Sequence, residues 1–367
     1  MNSMMLLFLF IILVPVFIST MFIPYWTRKT ESFGVSIPEE IYHHDRLKRM
    51  RKQYVWLSGI TSLIITAVSF LLSTWMDDNT FGIYFSILIF LYIFITFFIY
   101  LYFHRVMKQL KAAENWGKTK PQQMYIHTEF RKHKLNHSNL WFLLSFIISF
   151  ATIAMTFVLY DRIPDRMPMQ YNFDGEVTNW AEKSYRSVLV MPIMQLYLTL
   201  LFMFLNTMIA KAKQQINAEK PAESMQQNII FRRRWSMYLI STGIAITLLF
   251  AFIQLTFIFP INSQLITIVP LIFTIGATVG AIILSITTGQ GGSRVKLQTD
   301  TNGDVIDRDD DKYWKLGQFY FNKNDPALFL EKRFGVGWTI NFARPLAWII
   351  FLMIILLAAG IPFLLGI

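Results

Sequence analysis

No cysteine occurs in the 367 residues. That absence excludes disulfides, thiolate nucleophiles and Cys-ligated metals together. Charge is scarce as well: Asp, Glu, Lys and Arg make up 16% of the chain, against 54% hydrophobic residues and 34 Phe, too few to cover a soluble domain of this length. Only six His remain for metal or acid–base work. His133 and His137 stand four apart, which would share a helix face, but the Glu of a zinc-protease helix is missing beside the first. No metal, no cofactor and no enzyme activity are expected, because no nucleophile and base pair can be assembled from recognisable spacing. A secretory cleavage site is also lacking. No base precedes the first apolar run, and Ile23-Pro24-Tyr25-Trp26 has none of the small residues that cleavage needs, so that run is expected to stay in the protein.

What the chain does have is apolar runs of about 20 residues, the length a ~30 Å hydrocarbon layer demands of a helix. There are eight: Met4 to Ile23, Trp56 to Met76, Gly82 to His104, Leu140 to Tyr160, Val188 to Ala210, Ser236 to Phe259, Gln264 to Ile286 and Leu346 to Leu365. The fold class expected is an all-α integral membrane protein of eight transmembrane helices. No Asp, Glu, Lys or Arg lies inside a run, so the residues that mark a proton relay or ion-coupled carrier are missing. Gln195, Asn206 and Gln254 read as interhelical hydrogen bonders, and Gly276 with Gly280 as a small-residue face for close helix packing.

The gaps between runs alternate between rich and poor in base. Tyr25 to Val55, Arg105 to Asn139, Lys211 to Trp235 and Thr287 to Pro345 together hold 30 of the 34 Lys and Arg residues. The positive-inside rule makes those gaps cytoplasmic and both termini extracytoplasmic, in a multi-pass cell-membrane protein. The net charge of +11 is then an orientation signal with some attraction to anionic lipid, and needs no nucleic acid. The clusters Arg46 to Lys52 and Arg131 to Lys134 are expected to be solvated, with docking of an acidic cytosolic partner as the alternative. His43-His44-Asp45, after Ile37-Pro38-Glu39-Glu40, reads as the opening of a cytoplasmic helix.

Two gaps also carry acids in structured strings. The outward one, Asp161 to Ser187, contains Pro164 and Pro168, which fix the backbone, and Asp174-Gly175, a tight-turn signal. Tyr171, Phe173 and Trp180 supply interfacial rings. Its string Ile-Pro-Asp-x-x-Pro-x-x-Tyr-Asn-x-x-Gly, followed by Trp-x-x-Lys-Ser, resembles the SdpI-type domain of unknown function of bacterial multi-pass membrane proteins. The resemblance covers roughly Leu140 to Ile209 and implies the same outward loop. Its best-known member acts in immunity and signal transduction against a secreted peptide toxin. Carried over position by position, the matching residues are Pro164, Asp165, Pro168, Tyr171, Asn172, Gly175, Trp180 and Lys183, a candidate ligand-binding set.

The inward one starts with a glycine-rich exit, Gly289 to Ser293, and continues through β-prone runs. Val295 to Gln298 and Val305-Ile306 flank a hairpin signal at Asn302-Gly303. Gln318 to Phe321, Ala327 to Leu330 and Gly337 to Phe342 follow, predicting a small antiparallel β element between the seventh and eighth helices. This segment is similar to a short uncharacterised cytoplasmic module found beside the outward-loop domain in related bacterial proteins. The residues that carry the likeness include Asp310, Asp311, Tyr313, Trp314, Asp325, Pro326, Arg333, Gly335, Trp338 and Asn341. Asp300 to Asp311 echoes a calcium loop, but Val305 stands where that loop needs Gly, and a turn is the better reading.

The organisation expected is helices 1–3 with basic loops over 1–139, the helix-loop-helix unit over 140–210, a basic loop and helices 6–7 over 211–286, the β-rich module over 287–345, and helix 8 over 346–367. The function expected is sensing or binding of an extracytoplasmic peptide or toxin, in signalling or immunity. The partners are the lipid bilayer, that peptide, and a membrane or cytosolic protein. A transporter, or a structural subunit of a membrane complex, is the alternative.

Overall fold

The computed structural model describes residues 3–116, 134–171, 177–215, 220–295 and 311–365. Eight helices dominate: α1 (Ser3–Trp26), α2 (Asp45–Trp75), α3 (Asp78–Ala113), α4 (Leu143–Val158), α5 (Val190–Lys211), α6 (Pro221–Ile258), α7 (Ser263–Thr288) and α8 (Pro345–Leu364). Among the described residues, seven helices are long and apolar enough to cross a membrane. The first run of the sequence count is not among them: α1 is helical, but its segment Leu13–Trp26 ranks as a shorter apolar helix.

The helix ends follow from local chemistry. The His44 imidazole caps α2 by accepting from the Arg46 N–H at 3.3 Å, which places the helix start where His43-His44-Asp45 predicts it. Asp77 caps α3 through the Thr80 N–H at 3.1 Å, and Asn262 caps α7 through Gln264 at 2.9 Å. Pro221 and Pro345 open α6 and α8 at a position that needs no N–H. Gly289, at φ 66°, ends α7.

Several helices outrun their apolar stretches. α2 begins at Asp45 and not Trp56, α3 continues to Ala113, and α6 begins at Pro221 and not Ser236. Much of what reads as basic loop is therefore helix. The cause is that Lys, Arg, Gln and Glu are good helix formers whose polarity ends a hydropathy run without ending the helix.

α2 packs against α1 and α3 around buried Leu13, Phe17, Ile65 and Tyr92. α4, α5 and α6 pack on one another, α7 contacts both α1 and α6, and α8 lies on α5. Close approach depends on small polar residues: Ser58, Ser62, Ser69 and Ser73 line the buried face of α2, and Ser145, Ser149, Thr152 and Thr156 that of α4. The hydroxyls of Ser62, Ser73, Ser149, Thr152 and Thr156 turn back on the helix, as in Ser149 to the Ser145 carbonyl at 2.8 Å, so that they offer no polar group to lipid. On α7, Gly280 packs against the Tyr238 ring, whereas Gly276 faces no neighbour. The small-residue face is thus a helix contact over half its length.

The described residues also form four two-stranded antiparallel ribbons: β1 (Glu31–Ser32) with β2 (Val35–Ser36), β3 (Arg166–Tyr171) with β4 (Val177–Glu182), β5 (Trp314–Lys315) with β6 (Phe319–Tyr320), and β7 (Phe329–Glu331) with β8 (Trp338–Ile340). The last two form the small C-terminal β region predicted from Gln318 to Phe321, Ala327 to Leu330 and Gly337 to Phe342. The turn at Asn302-Gly303, the calcium-like Asp300 to Asp311 string apart from Asp311, and the cluster Arg131 to Lys134 apart from Lys134 lie outside the described residues.

Candidate functional site

Among the described residues, polar side chains gather at the β3–β4 hairpin at one end of α4–α6, and in a buried charge cluster where the C-terminal β region meets the other end of the helices.

In the hairpin, alternation along the strands turns Met167 and Ala181 inward, onto Ile163, Val188, Phe257 and Ile258. Pro168 pairs with Trp180 across the ladder and Tyr171 with Val177. Trp180 is 51% exposed and Tyr171 42%. Pro164 and Asp165 are exposed too, and the Asp165 carbonyl accepts the Lys183 N–H at 2.8 Å. Lys183 is turned inward: its ammonium donates to the Ile163 carbonyl at 2.8 Å and lies 4.7 Å from the centre of the Tyr160 ring. It ties the hairpin to the end of α4 and presents no free charge outward. Ser187 donates to the Glu182 carbonyl at 2.7 Å, and Gln254 of α6 donates to the Val188 carbonyl at 3.2 Å. Asn172, Phe173, Asp174 and Gly175 lie outside the described residues.

The second cluster is assembled from distant parts of the chain. The Glu331 carboxylate, at the end of β7, is fully buried between Arg28, just after α1, and Arg232 of α6. Arg232 is 2.9 Å away and is itself fully buried. The Arg232 guanidinium also receives support from Asn228 at 2.7 Å and donates to the Ile209 and Ala212 carbonyls that end α5. Asn228 donates to Glu331 at 2.8 Å. Charges in a dry interior survive only when paired and hydrogen-bonded in this way.

A second ion pair adjoins the first. Asp311 accepts from Lys111 of α3 at 2.7 Å and pairs with Arg333. It also accepts from the Ser36 N–H at 3.2 Å. Arg333 stacks 5.1 Å from the Trp314 ring and approaches Glu31 at 3.9 Å. Burial pushes the Glu31 carboxyl up to about 7, with Arg28 and Arg333 acting against the rise and Asp311 with it. Burial likewise lowers the Arg28 guanidinium. On the far side, Asp325 pairs with Lys213. Burial would raise that carboxyl, but hydrogen bonds from Lys213, the Ala327 N–H and the Tyr320 hydroxyl leave it below the ordinary carboxylate range.

The remaining module residues serve this docking. Trp314 is buried with Tyr320 and Leu330, and Tyr313 packs beside them. Trp338 meets Phe231 of α6 with ring centres 5.1 Å apart. Asn341 holds Asn322 and Asp325 by their carbonyls at 2.9 and 3.2 Å. Gly335, at φ 92°, donates its N–H to Thr27 at 3.2 Å, Pro326 is exposed, and Asp310 lies outside the described residues. His137 spends its backbone on Ser236 and Asn206, and His133 lies outside the described residues.

Hydropathy and motif reading gave Arg28, Lys111, Arg232 and Glu31 no role beyond orientation. The β1–β2 hairpin was equally hidden. Its tip, Phe33 at φ 47° and Gly34 at φ 76°, meets the Leu316-Gly317 turn between β5 and β6. The Tyr100 hydroxyl of α3 holds both tips, donating to the Leu316 carbonyl at 2.9 Å and the Phe33 carbonyl at 3.3 Å. Positive φ at both residues of a two-residue turn is the hairpin signature, but Phe-Gly is not a dipeptide that announces it.

Two family models match the chain. One, described as a domain of unknown function (DUF1648), covers residues 147–196, from within α4 through the hairpin to the first turns of α5. The other, a family of unknown function (DUF5808), covers residues 323–348, the β7–β8 ribbon and the start of α8. No curated protein and no solved structure matches it.

Proposed function

We propose that this membrane protein binds an extracytoplasmic peptide on the β3–β4 hairpin and relays its occupancy across the membrane to the C-terminal β region. It would act in signalling or immunity, as the likeness to SdpI-type proteins implies, and not as an enzyme or a nucleic-acid binder. In this reading α1 completes eight spans, the basic ends of the helices are cytoplasmic, both termini are outside, and a membrane or cytosolic protein reads the β region.

The observation that carries the proposal is the reach of one helix. α6 bears Gln254, bonded beneath the hairpin, and Arg232, paired with Glu331. The rise between them is ~33 Å at 1.5 Å per residue, close to the ~30 Å thickness of hydrocarbon. A rigid element that ends in a buried polar contact on each side is what coupling across a membrane requires. Exposed Trp180 and Tyr171 offer the rigid aromatic surface that peptide recognition uses.

The test compares cells carrying the wild-type chain with cells carrying Pro164→Ala and Trp180→Ala together. Survival against a secreted peptide toxin and transcription of a reporter fused to the adjoining genes are measured. If both are unchanged, with the variant present in the membrane at wild-type level, the proposal fails.

A further inference from the structure

Among the described residues, one face of the C-terminal β region is left uncovered. Strand alternation buries Tyr320 and turns Phe319 and Phe321 outward, 39% and 42% exposed, beside Leu316 at 47%. Lys315, opposite Phe319 in the ribbon, is exposed, as are Lys312 and Lys323. The acids of 311–344 do not balance them: Asp311, Asp325 and Glu331 all turn into the ion pairs with the helices. Among the described residues the face is therefore aromatic and cationic.

Its position follows from its tethers. At one edge the Leu316 carbonyl is held at 2.9 Å by Tyr100, which stands in α3 four residues before the end of the apolar run Gly82 to His104. At the other edge the rings of Phe319, Phe342 and Trp348 follow one another with centres 5.5 Å apart. Trp348 lies in the first turn of α8 and donates to the Phe342 carbonyl at 3.1 Å. The uncovered face thus runs at the level where two apolar helices enter or leave the membrane. Exposed rings and lysines at that level match the headgroup layer, where aromatic rings sit at the boundary and ammonium groups reach phosphate.

We propose that this face is a lipid-binding surface, seating Leu316, Phe319 and Phe321 in the headgroup layer and taking anionic phospholipid headgroups on Lys312, Lys315 and Lys323. The β region is then pinned from three sides, by the ion pairs, by α8 and by the leaflet. Assigning the leaflet as the cytoplasmic one rests on the orientation proposed above, but the surface does not.

The cysteine-free chain allows a direct test. Phe321→Cys, and separately Leu316→Cys, is labelled with bimane in the full chain and placed in nanodiscs of phosphatidylcholine with or without phosphatidylglycerol. Asp45→Cys, on the first turn of α2, is the water-exposed reference. The expected result is quenching at 321 and 316 by a headgroup nitroxide lipid, shielding from iodide, and a gain of both with phosphatidylglycerol. Replacing Lys312, Lys315 and Lys323 with Gln should remove that gain. Iodide access equal to that at position 45, with no nitroxide quenching, overturns the proposal. Equal quenching with and without phosphatidylglycerol overturns the headgroup assignment. Shielding in native membranes but in neither nanodisc means that a protein covers the face, and also overturns it. Discs offer both leaflets alike, so an error in orientation cannot produce a negative result.

Discussion

Glu331 answers two arginines with one carboxylate, and each arginine comes from a different helical group. Removing its charge takes from Arg232 the carboxylate it pairs with and leaves Arg28 only the more weakly placed Glu31, and breaking a buried pair in this way costs about 3–5 kcal/mol. Glu331→Gln should therefore lower the unfolding temperature of the purified chain in detergent sharply. Replacing all three together, Arg28→Met, Arg232→Met and Glu331→Leu, should recover most of that loss, because no uncompensated charge remains. Asp45→Asn, which breaks the exposed pair with Lys48, should change nothing measurable. If the single change at Glu331 is as mild as that at Asp45, the cluster is not the structural junction its burial implies.

Glu31 gives the same cluster a pH dependence. Its carboxyl is raised by burial from 4.5 to about 7, so between those values the folded chain holds a proton that the unfolded chain has released. Stability from this group is full below the unfolded value and falls as pH rises towards 7. Unfolding monitored from pH 5 to pH 8 should show that decline. Glu31→Gln, which keeps the neutral shape, should flatten it and be the more stable form at pH 8. A decline of equal slope in the variant would remove Glu31 as the cause.

At the scale of elements, the hairpin tips and the outer ribbon make opposite predictions. A Cβ on Gly34 would stand 2.5 Å from the Gly317 carbonyl and 2.5 Å from the Tyr100 hydroxyl, at φ 76°, so neither backbone nor space accepts it. Gly34→Ala should cost more than the ~1–2 kcal/mol of a left-handed residue alone. Its signature would be a lower unfolding temperature and faster proteolysis of the C-terminal region. In the outer ribbon, Lys183→Met leaves the Ile163 carbonyl without its donor, at about 1–3 kcal/mol for a buried acceptor. Trp180→Ala removes only an exposed ring. The lysine variant should lose stability, and the tryptophan variant should lose peptide response while unfolding at the wild-type temperature.

These elements were unequally legible. Strands β6, β7 and β8 could be read because glycines and alternating aromatic residues mark short strands within a few residues of one another, whereas the β3–β4 ribbon read only as a loop with a turn, its pairing of Arg166–Tyr171 with Val177–Glu182 not being marked by a clear alternation in the sequence. The buried ion pairs could not be read. Arg232 and Glu331 stand 99 residues apart, and an arginine inside Arg232-Arg233-Arg234 looks like its exposed neighbours until α6 turns it towards α5. Only its place four residues after Asn228, on the same helix face, hinted at a polar contact. α1 is helical over Ser3–Trp26 as its apolar run suggests, but high hydropathy alone does not say whether an N-terminal helix crosses the membrane.

At the scale of the whole molecule, the role of α1 decides where the chain begins. α1 packs on α2 and touches α7, with Leu13 and Phe17 buried beside Ile65 and Tyr92, so its second half lies in the bundle. Arg28 follows it directly and pairs with Glu331, which fixes the end of α1 on the side of the C-terminal β region. If α1 crosses, the N-terminus lies on the side of the β3–β4 hairpin; if it turns back, the N-terminus lies with the β region. Alkaline phosphatase folds to an active form only outside the cytoplasm, and green fluorescent protein fluoresces mainly inside. Eight crossings require phosphatase activity and no fluorescence from fusions at both ends, and at the β3–β4 turn. They require the reverse for fusions in the gap that follows α3. A fluorescent N-terminal fusion combined with a dark C-terminal one would leave seven crossings. It would keep Arg28 beside Glu331, and with it the junction, but would end the eight-span reading.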